Sequence, residues 1–166
     1  RSEIGGSMEG PRAPLEQEVP HVLDFLTKKL RSEAGWSIAA EYPTAFHPSN
    51  IHNMRIIAEG NQLLSHAVLK PIIIKSPQLV YKVGAIGSVV TDEKHQGQGL
   101  SSTIINECIS SAKEQNCDLA ILWTGIYDFY RKFGFELAGS EVSFIIEDNF
   151  TTSDQGLRYS SDFKIS

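Results

Sequence analysis

A glycine-containing segment between two apolar stretches is the first candidate for chemistry in this sequence. Residues 95–102 read His-Gln-Gly-Gln-Gly-Leu-Ser-Ser. Because Gly97 and Gly99 carry no Cβ, an anion can come close to the backbone N–H groups there. The dipole of a helix that begins after them adds a further attraction. A pyrophosphate would suit this arrangement, although the segment alone is equally compatible with a turn that has only a structural role.

Two known nucleotide-binding motifs fit this segment poorly. A P-loop needs a lysine directly after its glycines, and none stands there. The dinucleotide fingerprint has Ser102 in place of its third glycine. It also expects an acidic residue at the carboxyl end of the next strand, whereas Asp118 precedes the next apolar run.

Hydrophobic periodicity predicts the elements that position this segment. Residues 18–30, 100–116 and 127–133 are predicted to be helical, the last closed by Gly134. Residues 34–53 have no sustained period and predict a long loop with one helical turn. Strands are predicted at residues 54–58, 62–69 with a continuation to 74, 79–91, 119–123, 135–138 and 142–146.

Turn signals complete this prediction. Glu59-Gly60-Asn61 indicates a β-hairpin, and Gly84 and Gly87 indicate a bulge or a close backbone approach in the long strand. The short apolar run at 119–123 is typical of a strand buried on both faces. The order contains a strand–helix–strand unit among antiparallel neighbours. It therefore predicts an α/β layer fold with a mixed, mostly antiparallel central sheet and helices on both faces.

Composition limits the class of protein. The 166 residues suit one domain, predicted at 8–150, with a polar tail at 151–166. Residues 1–7 resemble the remnant of an expression vector. No apolar run is long enough for a membrane span, and a net charge of −5 without a basic cluster argues against nucleic acid. Cys108 and Cys117 are predicted to be free thiols, which favours a reducing, cytoplasmic location. No metal site is predicted.

Three motifs, in the right order and spacing, resemble the GNAT N-acetyltransferases. They are Val89-Val90-Thr91-Asp92, the segment Gln96-x-x-Gly99-x-Ser101, and Phe-Tyr-Arg-Lys-Phe-Gly-Phe at 129–135. The family's cofactor motif reads Arg/Gln-x-x-Gly-x-Gly/Ala. The chain departs from it at Ser101, a small residue, and has Gln96 where Arg is commoner. The resemblance covers residues 85–139, and residues 54–69 suit the family's second and third strands.

The resemblance implies roles for particular residues. It implies that acetyl-CoA, as the acetyl donor, is held through its pyrophosphate by Gln96, Gly97, Gln98, Gly99, Leu100, Ser101 and Ser102. It implies that the backbone of Val89, Val90 and Thr91 pairs with the pantetheine arm, and that Gly125 and Ile126 contact the cofactor again. Tyr130 matches the family's general acid, whereas without this context a core tyrosine would be the better interpretation.

Acetyl transfer to an amine requires a base, because an alkylamine is almost wholly ammonium at neutral pH. His66 and Glu41 are the candidates, and neither is favoured over a structural role. Cys108 is interpreted as a core residue, because it lies on the apolar face of a predicted helix.

The acceptor side is less defined. Trp36, Tyr42 and Phe46 lie in the long loop where the family commonly builds its acceptor pocket, and simple packing explains them equally well. His66 is a further candidate for substrate binding. The acceptor could be a polyamine, an amino-sugar drug, an amino acid, a peptide N-terminus or a protein lysine. A homodimer is compatible with the sequence. The alternative function is a non-catalytic acyl-CoA-binding or regulatory domain on the same fold.

Overall fold

The computed structural model describes residues 6–139, and its helices and strands lie in the compact unit that ends at Glu136. The strands are β1 (Met8–Arg12), β2 (Met54–Glu59), β3 (Gln62–Lys75), β4 (Val80–Thr91) and β5 (Leu119–Ile121). The helices are α1 (Val19–Leu30), α2 (Ile38–Glu41), α3 (Leu100–Glu114) and α4 (Tyr127–Arg131). Short 3-10 segments precede α1, β2 and the glycine segment.

The strands form one five-stranded sheet in the order β1-β2-β3-β4-β5. The first three pairings are antiparallel and the β4–β5 pairing is parallel, which confirms the predicted mixed sheet. Alternate residues of β2 and β3 point to opposite faces. Ile57 and Leu69 pack with α3 on one face, whereas Ile56 and Val68 pack with α1 and α2 on the other. Helices therefore cover both faces, as the sequence predicted.

Two of the glycines singled out in the sequence, Gly60 and Gly84, stand where a side chain would be unfavourable. Gly60 turns the β2–β3 hairpin with φ of +57°, a left-handed conformation that suits glycine. At Gly84, a Cβ would lie 2.9 Å from Leu69 Cδ1 and 3.1 Å from Ala112 Cβ. The missing side chain therefore lets α3 pack closely on the sheet, which confirms the close approach.

The predicted bulge lies in β4, next to Gly87. His66 of β3 stands opposite Val90, and Val68 stands opposite Gly87, so β4 carries an extra residue between these pairs. Ser88 in this bulge has φ of +48°. A bulge bends a strand and increases its twist. It therefore changes the course of β4 just before the glycine segment.

The parallel β4–β5 ladder is short. It joins Val83, Gly84 and Ala85 to Leu119, Ala120 and Ile121. Beyond Ala85, β4 continues to Thr91 without a strand partner on that side in the described part of the chain. The carboxyl-terminal end of β4 therefore presents an open backbone edge.

Two strand predictions need correction. β5 ends at Ile121 and is not buried on both faces, because Leu119 is 43% exposed. Residues 135–138 form no strand; instead, the Phe135 ring packs on the Tyr130 ring, with centroids 6.1 Å apart. Phe135 therefore packs through this aromatic contact and not through strand pairing. The strand predicted at 142–146 and the tail at 151–166 lie outside the described residues.

The remaining differences are small. β1 was not predicted, because Gly10 and Pro11 interrupt any alternation there. The loop at 34–53 contains α2 and a 3-10 turn, Pro48–Asn53, so it is more regular than expected. Cys108 and Cys117 are free thiols, as predicted. None of the helices within residues 6–139 is long and apolar enough to cross a membrane.

Candidate active site

The glycine segment forms a cradle between the end of β4 and the start of α3. Gly97 and Gly99 adopt φ of +77° and +80°, and a Cβ built at either would have no heavy atom within 4 Å. The cradle, residues Thr91 to Ser102, borders a cavity of about 290 Å³. The cavity is lined by Thr91, His95, Gln96, Gly97, Gly99, Leu100, Ser101, Ser102, Phe129 and Lys132.

The backbone of the cradle offers hydrogen-bond donors to this cavity. The first turn of α3 begins at Leu100, and the Gly99 carbonyl accepts its first bond from the Thr103 N–H at 3.0 Å. The N–H groups of residues 100–102 therefore have no partner within the helix. The N–H groups of residues 97–99 donate to no carbonyl among residues 6–139. Free donors at a helix start, beside glycines in open space, fit a pyrophosphate.

Three hydroxyls hold this helix start on the sheet. The Ser65 hydroxyl lies 3.1 Å from the Val90 carbonyl and 2.8 Å from the Thr91 hydroxyl, which lies 2.7 Å from the Ser101 hydroxyl. A carbonyl only accepts, so Ser65 donates to Val90, Thr91 donates to Ser65, and Ser101 donates to Thr91. The Ser101 proton is thus engaged with Thr91. A phosphate there would be bound by backbone N–H groups and not by this hydroxyl.

An ionic network fixes the turn that leads into the glycines. The Asp92 carboxylate accepts from Lys29 Nζ of α1 at 2.8 Å and lies 2.9 Å from His95 Nδ1. Lys29 also pairs with Glu93. These contacts, first Lys29 and then His95, lower the pKa of Asp92 to about 2. The carboxylate is therefore charged at neutral pH and fastens one wall of the cavity to α1.

Val89 and Val90 lie in the open stretch of β4 that precedes the cradle. Val89 packs toward the α3 face of the sheet and Val90 toward the α1 face, so both side chains are partly buried. Their backbone groups on the β5 side have no ladder partner among residues 6–139. This edge can therefore pair with an extended ligand.

Tyr130 lies on α4 within an aromatic cluster, and it does not line the cavity. Its ring contacts Phe129 edge-on at 4.9 Å and is 7% exposed. Burial raises the pKa of its phenol, and the hydroxyl bonds to no other described residue. The phenol is thus fully protonated at neutral pH. Gly125 and Ile126 stand before α4, and a Cβ at Gly125 would meet open space.

His66 lies inside the protein. Its side chain is 0% exposed, its Nδ1–H donates to the Ser88 carbonyl at 2.9 Å, and its Nε2 has no partner within the described chain. Burial lowers the pKa of His66 to about 4. Phe46 is also buried, with its ring 6.2 Å from that of His66. Both are core residues, and neither is among the residues that line the cavity.

Glu41 is engaged in an ion pair. The Arg31 guanidinium binds it through two nitrogens, and the Trp36 indole donates to it at 3.2 Å. The bond to Arg31 chiefly lowers the pKa of Glu41 to about 2. Trp36 and Tyr42, beside it, are 58% and 46% exposed. These two rings are available to a ligand, whereas the Glu41 carboxylate is a poor proton acceptor.

Three residues that line the cavity were quoted within the sequence motifs but were given no role there, namely His95, Phe129 and Lys132. His95 directly precedes the predicted phosphate segment. Phe129 and Lys132 belong to the aromatic motif, and their spacing of three residues places them on one helical face. That spacing was the only sequence signal that Phe129 and Lys132 point toward the same side.

Comparison with known proteins agrees with this geometry. Residues 16–138 match the sequence model of the acetyltransferase (GNAT) domain. No curated protein sequence matches the chain significantly. Among solved structures, a predicted acetyltransferase from Clostridium acetobutylicum, determined with acetyl-CoA, superposes with a TM-score of 0.69. It is 17% identical, over 84% of this chain and 96% of that one.

Two further structures have the same fold. An acetyltransferase from Trypanosoma brucei has a TM-score of 0.64 at 17% identity, covering 84% of this chain and all of its own. Glucosamine-6-phosphate N-acetyltransferase from Arabidopsis thaliana has a TM-score of 0.62 at 14% identity, over 85% and 99% of the two chains. The domain match spans most of the sequence, and the cradle lies within it, so the chain belongs to the GNAT acetyltransferase family.

Proposed function

We propose that this protein transfers an acetyl group from acetyl-CoA to an amine. The observation that carries the proposal is the cradle, where free backbone N–H groups at a helix start adjoin two glycines in open space. A chain of this family with such a cradle has the means to bind a pyrophosphate-containing acyl donor.

The residues around the cavity suit the parts of acetyl-CoA. The pyrophosphate would be bound by the backbone at Gln96, Gly97, Gln98, Gly99, Leu100, Ser101 and Ser102. The pantetheine arm would lie along the open β4 edge, at Val89, Val90 and Thr91. Gly125 and Ile126 follow β5, the strand that pairs with β4, and they would flank the acetyl end of the cofactor.

Acetyl-CoA supplies a thioester whose carbonyl carbon bonds to the amine nitrogen as its carbon–sulfur bond breaks. Tyr130 would give its phenolic proton to the departing sulfur. Its raised pKa keeps that proton in place at neutral pH. The same raised pKa weakens the driving force for its transfer to a thiolate of ordinary pKa about 8.5. We therefore assign Tyr130 a moderate catalytic contribution.

The proton that the ammonium must lose would leave through water. His66 is wholly buried and Glu41 is held by Arg31, so neither is suited to contact an acceptor amine as a base. Trp36 and Tyr42 are exposed and would contact the acceptor. Water that reaches the bound acceptor would carry the proton away.

The test combines binding with turnover. Acetyl-CoA should raise the melting temperature of the protein by mass action, and acetyl-pantetheine, which lacks the phosphates, should raise it much less. A panel of polyamines, amino sugars, amino acids and lysine peptides should then release free CoA thiol with at least one amine. Binding without turnover on every amine would favour the non-catalytic acyl-CoA-binding alternative. No stabilisation by acetyl-CoA would contradict the proposal altogether.

A further inference from the structure

The cradle contributes no lysine or arginine to the described lining of the cavity, because its one such residue, Lys94, does not line it. Gln96 is uncharged, and its amide donates to the Thr91 carbonyl at 3.4 Å. His95 is turned toward Asp92, whose negative charge lies directly behind it. Yet a bound pyrophosphate brings two negative charges to this place. Backbone donors alone would have to balance them unless another element contributes a cation.

Among residues 6–139, Lys132 is the one lysine or arginine that lines the cavity. It follows α4, far from the cradle in sequence, and reaches the first turn of α3, where its Nζ donates to the Ser102 hydroxyl at 2.9 Å. Its ammonium is therefore at the point where the free N–H groups of α3 converge.

Aromatic rings hold this side chain in place. The Lys132 Nζ lies 4.3 Å from the centre of the Phe129 ring and 5.0 Å from that of Phe133. Such cation–π contacts restrict a long side chain that would otherwise sample many rotamers. The ammonium forms no ion pair with a carboxylate among residues 6–139. It has three donors, and Ser102 takes one, so two remain for a ligand.

We propose that Lys132 binds the pyrophosphate of acetyl-CoA and supplies the cationic charge that Gln96 does not. This inference rests on the proposed function. α3 provides the N–H groups and the residue that directly follows α4 provides the ammonium, so the phosphate site is built from two separate parts of the chain. A charge-assisted contact at an exposed site should contribute about 10-fold to affinity.

The experiment is calorimetry of acetyl-CoA with matched variants. Lys132→Met keeps the unbranched apolar stem on the two rings and removes only the charge, so folding should persist. It should weaken acetyl-CoA binding by about 10-fold. Lys132→Arg should restore most of the affinity. Lys75→Met is the control. Lys75 ends β3 at the β3–β4 turn, at the opposite end of β4 from the cradle, and its loss changes the net charge equally.

A second ligand identifies the phosphate that is bound. Dephospho-CoA retains the pyrophosphate and lacks the 3′-phosphate, so Lys132→Met should weaken its binding by the same factor. A loss seen with acetyl-CoA but not with dephospho-CoA would overturn the assignment to the pyrophosphate. An unchanged acetyl-CoA affinity in a folded Lys132→Met protein would also refute it, while leaving the proposed function intact. Failure of the wild type to bind acetyl-CoA would instead contradict the proposed function.

Discussion

The cradle at 91–102 and the loop at 34–53 differ in how they use their polar groups. The cradle has backbone N–H groups that donate to no carbonyl in the described part of the chain, and a Cβ at either of its two glycines would have no heavy atom within 4 Å. The loop bonds its buried polar groups within itself and to β3: the Asn50 amide donates to the Ala45 and Leu69 carbonyls at 2.8 and 3.1 Å, and Asn53 donates to Asn50 at 2.9 Å.

This difference separates two kinds of binding surface. Free backbone N–H groups can bind any ligand that carries a pyrophosphate, whatever the neighbouring side chains are. A cradle of this kind therefore suits a cofactor that many enzymes share. A loop whose backbone is internally bonded can select a ligand only through the side chains that it leaves exposed. In this loop the exposed aromatic side chains are Trp36 and Tyr42. Substitutions in each region test this division.

The largest effect should follow from filling the cradle. Gly99→Glu places a bulky negative side chain beside the free N–H groups, and like charges in close contact cost several kcal/mol. Acetyl-CoA affinity should fall by at least about 1,000-fold, measured by calorimetry. Gly60→Glu is the matched control, because Gly60 also has positive φ and open space but lies in the β2–β3 turn. Equal loss in both variants would indicate general backbone damage instead.

A smaller effect should follow from removing one oxygen at Tyr130. Tyr130→Phe should lower kcat by about 100-fold, at the low end for general acid catalysis, and leave acetyl-CoA affinity unchanged. Tyr127→Phe, on the same helix but half exposed, is the control and should have no effect. A loss confined to acetyl-CoA affinity would make Tyr130 a cofactor contact. An unchanged rate of a chemistry-limited single turnover would remove it from the mechanism.

The two regions also differ in how far the sequence predicted them. The cradle depends on residues close together in the chain, so Gly97, Gly99 and the start of α3 were predicted together. The mixed sheet was predicted from the order of helices and strands along the sequence. The environments of His66 and Phe46 depend on packing between β3, β4 and the loop, which no local pattern encodes. Lys132 was missed because its partner, Ser102, is distant in sequence and close only in the folded chain.

His66 lies between the loop and the strand that leads into the cradle, since it bonds to Ser88 in the β4 bulge and packs beside Phe46 of the loop. Its pKa of about 4 in the folded protein is below the ordinary value of 6.5. Between pH 6.5 and 4, the unfolded chain therefore binds a proton here that the folded chain does not. Stability is unaffected above this window and falls as pH decreases through it, by about 2 kcal/mol at pH 5.

Urea denaturation at pH 7 and pH 5 measures this effect. His66→Asn keeps a donor near the position of Nδ1 and does not titrate, so its free energy of unfolding should fall by about 2 kcal/mol less than that of the wild type. Identical pH dependence in the two proteins would mean that His66 charges in the folded state and that its site admits water.

The smallest effect on activity is expected in the loop, where two aromatic residues should behave differently. Trp36→Ala should raise the acceptor KM about 5-fold, the loss of roughly 1 kcal/mol of contact, with acetyl-CoA KM unchanged. Phe46→Ala should instead destabilise the fold by about 3–5 kcal/mol, because Phe46 is a core residue. Steady-state kinetics and thermal melts distinguish the two outcomes. A stability loss in Trp36→Ala with normal acceptor kinetics would make the whole loop a packing element.

Beyond Ala85, β4 has no strand partner on its β5 side among residues 6–139, and this has a consequence for handling the protein in solution. An unpaired strand edge is a template on which another chain can add a strand, and this is a common start of aggregation. If acetyl-CoA lies along that edge, it blocks the addition of a second chain as well as serving as substrate. Protein concentrated with saturating acetyl-CoA should then remain dispersed where the ligand-free protein self-associates. The cofactor would in that sense protect the fold that binds it.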